Sequence, residues 1–313
     1  MKVVLLEELG VSQDIIEKHA KKLEAMGHTF EAFPKDTDPK VQAQRSRDAD
    51  VIMLANMPLD KSVIDTAANL KFIDIAFTGV DHVPVAEAKA KGIAVSNASG
   101  YATQAVAELC ISFMIQLLRN VKQTEERCRT GGTKAGLVGN LLCGKTVGII
   151  GAGAIGKKTA ALCKAFGCNV IAYSRSQVSD PAIDAQVSLE QLLQEADIVS
   201  LHCPLTDQTR GLIGQAQLAL MKKTAILINT ARGAVVDSAA LAAALKDGRI
   251  AGAACDVFEM EPPLPQDHPL LDCPNTIVTP HIAFASAESM EMRADIVFGS
   301  LYSWLDGKQI NAV

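Results

Sequence analysis

At 313 residues the chain is longer than an ordinary single domain, so two hydrophobic cores are expected. With 49% hydrophobic and 21% charged residues it reads as globular and soluble, and a formal net charge of −5 excludes a general attraction to nucleic acid or an anionic membrane. The eight cysteines form no C-x-x-C pair and read as buried reduced thiols of a cytoplasmic protein, with no metal site.

The opening apolar run, Val3 to Leu6, is too short for a signal peptide or a membrane span and reads as a first strand. Up to residue 98 strand and helix signals alternate. Strands are predicted at Lys2 to Leu6, His28 to Phe33, Val51 to Ala55, Phe72 to Phe77 and Ile93 to Val95. Helices are predicted at Ser12 to Met26, Asp60 to Ala68 and Pro84 to Lys91. Such alternation makes parallel β-α-β units and an open α/β domain. From Gln104 to Arg127 the spacing predicts one long helix, with Val106, Leu109, Phe113, Leu117 and Val121 on one broad apolar face.

Next comes the run Thr146 to Ile150, followed by Gly151-Ala152-Gly153-Ala154-Ile155-Gly156. A buried strand feeding glycines at G-x-G-x-x-G spacing is the context that a dinucleotide pyrophosphate requires. Gly151 makes the tight turn, Gly153 admits the phosphates, and Gly156 lets a helix over Ile155 to Phe166 pack closely. That helix is expected to turn Ile155, Leu162, Cys163 and Phe166 inward and to offer the phosphates its N-terminus, at Ala154 and Ile155. Further strands are predicted at Asn169 to Tyr173, Ile198 to His202, Ala225 to Asn229, Gly252 to Val257 and Thr276 to Thr279, six in all with the first. Ser188 and Gln191 form a capping box for a helix to Ala196, and a helix is predicted between Asp237 and Gly248. A last amphipathic helix, Ser286 to Asp306, buries Met290, Ile296, Val297, Leu301 and Trp304.

The second strand of this series ends in Tyr173-Ser174-Arg175-Ser176. An acidic residue there would accept from both ribose hydroxyls and repel a 2′-phosphate; Ser174 and the cation Arg175 favour NADP, with NAD as the alternative. Three later strand ends carry Arg232, the pair Glu259 and Glu261, and His281. A guanidinium can bind the carboxylate of a 2-oxo acid in a bidentate manner, an imidazole can deliver the proton, and a carboxylate beside it favours the imidazolium.

The ordered segments Thr78 to His82, Asn97 to Glu108, the glycine turn, His202 to Thr206, Ile228 to Asp237, Asp256 to Pro262 and Thr279 to Ala283 resemble those of the D-isomer-specific 2-hydroxyacid dehydrogenases. The resemblance spans nearly the whole chain. It implies an α/β protein of two doubly wound parallel-sheet domains, a Rossmann cofactor domain (99-284) inserted into a flavodoxin-like substrate domain (1-98 and 285-313), with the active site in the cleft between them. It implies Arg232 as the substrate-binding arginine, His281 as acid/base and Glu261 as its partner. Backbone N–H groups of Gly79 and Val80, with Asn56 on the neighbouring loop, would meet the substrate. Thr103, His202, Cys203, Pro204, Thr209, Thr230, Ala231 and Asp256 would lie along the cofactor, with Ser174, Arg175 and Ser176 at the ribose. A homodimer through the region of Gln104 to Arg127 is implied as well. The loop Leu54 to Pro58 has no cation for a substrate phosphate, which disfavours phosphoglycerate and leaves glyoxylate, hydroxypyruvate and pyruvate. A formate-type enzyme would pair its histidine with Gln, against Glu261. A dinucleotide-sensing, corepressor-like binding protein on the same scaffold could keep all three polar residues and stays open as the alternative.

Overall fold

The computed structural model describes all 313 residues. They divide into two compact units, Met1–Ala102 with Ala285–Val313, and Thr103–Phe284. The first unit opens with β1 (Lys2–Leu5), α1 (Gln13–Ala25), β2 (Thr29–Ala32), α2 (Pro39–Ser46), β3 (Val51–Leu54), α3 (Lys61–Thr66), β4 (Phe72–Ile75), α4 (Val85–Ala90) and β5 (Ala94–Asn97). The second begins with α5 (Thr103–Leu118), α6 (Val121–Arg129), β6 (Thr146–Ile150), α7 (Ala154–Ala165), β7 (Asn169–Tyr173) and β8 (Ala185–Gln186). It continues with α8 (Leu189–Glu195), β9 (Ile198–Leu201), α9 (Gln215–Leu220), β10 (Ile226–Asn229), α10 (Ser238–Lys246), β11 (Gly252–Cys255) and β12 (Thr276–Val278). The chain then returns to the first unit as α11 (Ala287–Leu305). No helix is long and apolar enough to cross a membrane.

Both sheets are parallel throughout. The first has the order β2-β1-β3-β4-β5, the doubly wound order of flavodoxin-like domains. The second runs β12-β11-β10-β9-β6-β7-β8, a six-strand Rossmann order with β12 added at one edge and its reversal between β6 and β9. Strands covered on both faces read as continuous apolar runs, and β3, β9 and β10 are buried at every position. In the first unit the core joins Val3, Leu5, Met53 and Phe72 of the sheet to Val297, Phe298 and Leu301 of α11, with Trp304 stacked on Phe72 at 4.8 Å between ring centroids.

Several expectations need correction. The long helix breaks at Asn120, whose φ of 50° and ψ of 40° are left-handed, so Val121 starts a separate helix with its side chain exposed. The break has a partner: the Leu118 carbonyl accepts from the Asn140 N–H (2.8 Å), as the linker folds back along the helix end. The helices α2 and α9 and the short strand β8 were not expected, so the second sheet has seven strands. Phe166, the C-cap residue of α7, is exposed rather than turned inward. At Ser188 only half of the capping box forms: its hydroxyl accepts from the Gln191 N–H (3.1 Å), while the Gln191 side chain donates to Glu195. All cysteines are free, but Cys128 and Cys143 are exposed, the first on a helix with no buried residue.

Asp74 sits inside β4, fully buried, with neither carboxylate oxygen in a well-formed hydrogen bond; the hydroxyl that faces it belongs to Ser300 of α11. Burial pushes its carboxyl well above the usual range, outweighing the opposing effect of the Ser300 hydroxyl. Because the folded pKa exceeds the unfolded one, the group costs nothing below the unfolded value of about 3.9 and destabilises progressively as pH rises above it. Asp74→Asn should therefore raise the melting temperature at pH 7 by about 2–4 °C, the equivalent of about 1 kcal/mol, with the gain vanishing in thermal melts recorded near the unfolded pKa of about 4.

Candidate active site

In parallel sheets ligands gather at the carboxyl ends of the strands, next to the point where strand order reverses. Here that point lies between β6 and β9, and the residues after β6, β7 and β9 close around a cavity of about 360 Å³. Gly151, Gly153, Ser174, Arg175, Ser176, His202, Cys203, Pro204 and Thr209 all line it, as does Leu212. The glycines have separate duties. A Cβ on Gly151, whose φ is +99°, would lie 2.6 Å from the Cys203 nitrogen, and one on Gly156 would lie 2.2 Å from the Gly151 oxygen. Gly156 thus serves close packing rather than contact with a ligand. A Cβ on Gly153 would meet nothing within 4 Å, so that position opens onto space that a pyrophosphate can enter, beside the start of α7 at Ala154 and Ile155.

The cavity contains no acidic side chain, and Arg175 is its one cation. His202 adds no charge: burial pushes its imidazole down to about 4, and Nε2 pairs with the Ser200 hydroxyl at 2.9 Å. Thr209 staples its own loop, donating to the Pro204 carbonyl (2.6 Å) and accepting from the Thr206 N–H (2.8 Å). Tyr173, Thr206, Gln208 and Leu212 also form the wall, without having been singled out in the sequence; Thr206 stands in the His202–Thr206 segment that carried the signal. The space fits a dinucleotide: an open glycine at a helix start, a cation at the end of β7 and an apolar floor.

The ends of β10, β11 and β12 hold the second group. Beyond β10, the Asn229 side chain donates to the Arg232 carbonyl (3.0 Å) and accepts from the Ala231 N–H (3.1 Å), which fixes the Arg232 turn. The guanidinium in turn donates from Nη1 to the Ala231 carbonyl at 2.8 Å. Gly233 is required at the next position, since a Cβ there would lie 1.8 Å from the Phe258 carbonyl carbon. Beyond β11, Glu259 and Glu261 diverge. Burial works against ionisation of Glu259, but hydrogen bonds, including those from Ser238 and His268, outweigh it and hold the carboxyl below its usual range. Glu261 instead holds His281, whose Nδ1 lies 3.1 and 3.0 Å from its two oxygens.

Asp256 positions that histidine. Its buried carboxylate accepts from the Thr279 hydroxyl (2.5 Å) and from the N–H groups of Ile282 and Ala283 (2.8 Å each), and its backbone carbonyl accepts from the His281 N–H (2.9 Å). The clamp holds His281 at a φ of 57°, a region that costs a non-glycine residue on the order of 1 kcal/mol. Asp256, Thr230, Ala231 and Thr103 do not line the cavity; Thr230 pairs with Cys110, 3.2 Å between Oγ1 and Sγ. In the first unit Asn56 follows β3, and Gly79 and Val80 follow β4, at adjacent strand ends.

Residues 111–283 match the D-isomer specific 2-hydroxyacid dehydrogenase, NAD binding domain. The chain belongs to this family. It is 38% identical over 291 residues to a glyoxylate reductase of Thermofilum pendens, covering 90% of this chain and 85% of the relative. It is also 38% identical over 299 residues to a glycerate dehydrogenase of Methylorubrum extorquens, covering 91% and 92%. Among solved structures, an acyclic imino acid reductase in complex with NADPH and D-Arg superposes over all of both chains with a TM-score of 0.92 at 29% identity. The protein is thus an oxidoreductase of the 2-hydroxyacid dehydrogenase type, with an NAD(P)-binding domain built on the second sheet.

For such an enzyme the closeness of Gly233 to Phe258 matters, because it joins the turn of Arg232 to the loop that carries Glu261. Gly233→Ala should lower kcat/KM by about 100-fold through displacement of that turn, with the far-UV circular dichroism spectrum unchanged.

Proposed function

We propose that the protein reduces a small 2-oxo acid to the D-2-hydroxy acid, or runs the reverse reaction, with glyoxylate, hydroxypyruvate and pyruvate as candidate substrates and NADPH as the favoured cofactor. The observation that carries the reading is the pairing of His281 with Glu261 at the sheet edge that also bears Arg232. Gly151, Gly153 and the first turn of α7 would hold the pyrophosphate, and Ser174, Arg175 and Ser176 the phosphorylated ribose. When bound, the nicotinamide supplies hydride to C2 of the oxo acid. Arg232 binds the carboxylate and polarises the carbonyl. His281, with Nδ1 committed to Glu261 and its ring thereby oriented, gives its Nε2 proton to the carbonyl oxygen. Asn56 and the backbone N–H groups of Gly79 and Val80 are assigned to the substrate.

A second copy is the natural cover for the exposed Val121, Val138 (80% exposed) and Leu141 (69% exposed), which supports a homodimer built on α6 and the following linker. Light scattering should give twice the mass of one chain. The relatives reported above are reductases and dehydrogenases, so the binding-protein alternative is not carried forward.

His281→Ala should reduce turnover of glyoxylate by about 1,000-fold or more while the fluorescence titration with NADPH is unchanged, and full turnover in this variant sinks the assignment. Arg175→Ala should raise the KM for NADPH about tenfold and leave that for NADH within about twofold, the signature of a lost contact to a 2′-phosphate. Better performance of the unaltered protein with NADH would remove the cofactor preference.

A further inference from the structure

The loop that follows β3 in the first unit is held by a charged side chain to which the substrate assignments give no role. Glu7 lies just past β1 and is only 3% exposed. One carboxylate oxygen, Oε1, accepts from the N–H groups of both Ala55 (2.6 Å) and Met57 (2.8 Å). The other lies 3.8 Å from Lys35 Nζ. Burying a carboxylate is costly unless donors compensate it, and two converging N–H groups are such compensation. The residue between those two donors is Asn56. Ala55 and Met57 are buried, whereas Asn56 keeps part of its surface exposed.

The same loop is tied from other sides. His82 Nε2 lies 2.8 Å from the Ala55 carbonyl, and the His82 carbonyl accepts from the Leu59 N–H (3.0 Å). The buried Gln42 donates to the Pro58 carbonyl at 3.1 Å. A bulge whose flanking N–H groups are drawn onto one buried acceptor has little conformational freedom, so its tip is presented in one orientation before any ligand arrives. The strand end that carries Gly79 and Val80 joins the arrangement through His82, two residues further on.

We propose that Glu7 is a positioning residue of the substrate site: by gathering the Ala55 and Met57 N–H groups it sets the orientation of Asn56. The inference rests on the assignment of Asn56 to the substrate made above. It depends on the reach of the side chain rather than on its charge, because a neutral amide oxygen in the same place can accept from the same two donors. Shortening the side chain removes that reach while keeping the charge that Lys35 meets.

The experiment compares Glu7→Asp, Glu7→Gln and Asn56→Ala with the unaltered chain, using glyoxylate and NADPH. Glu7→Asp is expected to raise the KM for glyoxylate about tenfold, with a smaller change in kcat and the Kd of NADPH within about twofold. Glu7→Gln should recover most of that loss. Hydrogen exchange in a peptide spanning residues 52–59 should be faster in Glu7→Asp and close to normal in Glu7→Gln. An unchanged KM in Glu7→Asp, equal damage in Glu7→Gln and Glu7→Asp, or exchange at residues 52–59 that does not respond to the shortened side chain would each overturn the proposal. Asn56→Ala separates the two levels. If its KM rises while that of Glu7→Asp stays normal, the positioning role alone fails. If its KM is unchanged, the assignment of Asn56 to the substrate fails, and the proposal falls with it.

Discussion

The buried carboxylate of Asp256 is the interaction on which the candidate active site depends. A parallel sheet leaves its strands unpaired where they diverge at the carboxyl edge, and backbone donors there must find acceptors or water. Asp256 accepts from one hydroxyl and two N–H groups of the segment after β12, and its carbonyl takes a third N–H, that of His281. The turn is thereby determined by a residue on the neighbouring strand. Burial raises the carboxyl of Asp256, opposed by the hydrogen bonds it accepts, so the clamp is a compromise between desolvation and donor number.

Close approach of backbones is the second constraint, and glycine is what permits it. At Gly151 and Gly156 a side chain would collide with the loop after β9 and with the glycine turn itself; at Gly233 it would collide with Phe258. These contacts join the fingerprint to the His202–Thr206 loop and the Arg232 turn to the Glu261 loop. Asn229 adds the polar counterpart by bonding both flanks of its own turn. Rigid strand ends with converging polar groups are the form of preorganisation by which dehydrogenation of this kind can be accelerated.

The first unit solves the same problem with different residues. Glu7, His82 and Gln42 hold the loop after β3 by its own backbone groups, at the carboxyl edge of the five-stranded sheet. Asp74, one strand over, is a buried carboxylate without such donors, and burial suppresses its ionisation. The contrast between Glu7 and Asp74 is one of hydrogen-bond partners, since both are buried.

Much of this was legible in the chain. Continuous apolar runs marked the strands because both sheet faces are covered, and the glycine spacing marked the strand-to-helix turn because a side chain at Gly151 or Gly156 would collide with neighbouring backbone. The place of Ser174 and Arg175 at the wall of the cavity was readable because position at the end of a strand suffices to give it. The helix α2 escaped notice although Asp38 caps it and Pro39 opens it, since its sequence has little apolar periodicity. The break at Asn120 escaped because the apolar spacing continues through it, while the acceptor-donor pair that ends the helix, Leu118 with Asn140, is formed across a loop. Local pattern and steric need therefore determined the strands, their parallel order and the types of residue at their ends. Glu261 meets His281 as the family resemblance implied, but only the tertiary structure decided where the other carboxylates go: Glu259 to His268, Asp256 to a turn of the next strand, Glu7 to a loop some fifty residues away. Such pairings depend on distances between segments remote in the chain, and a hydrogen bond is decided over a few tenths of an ångström that sequence spacing does not encode.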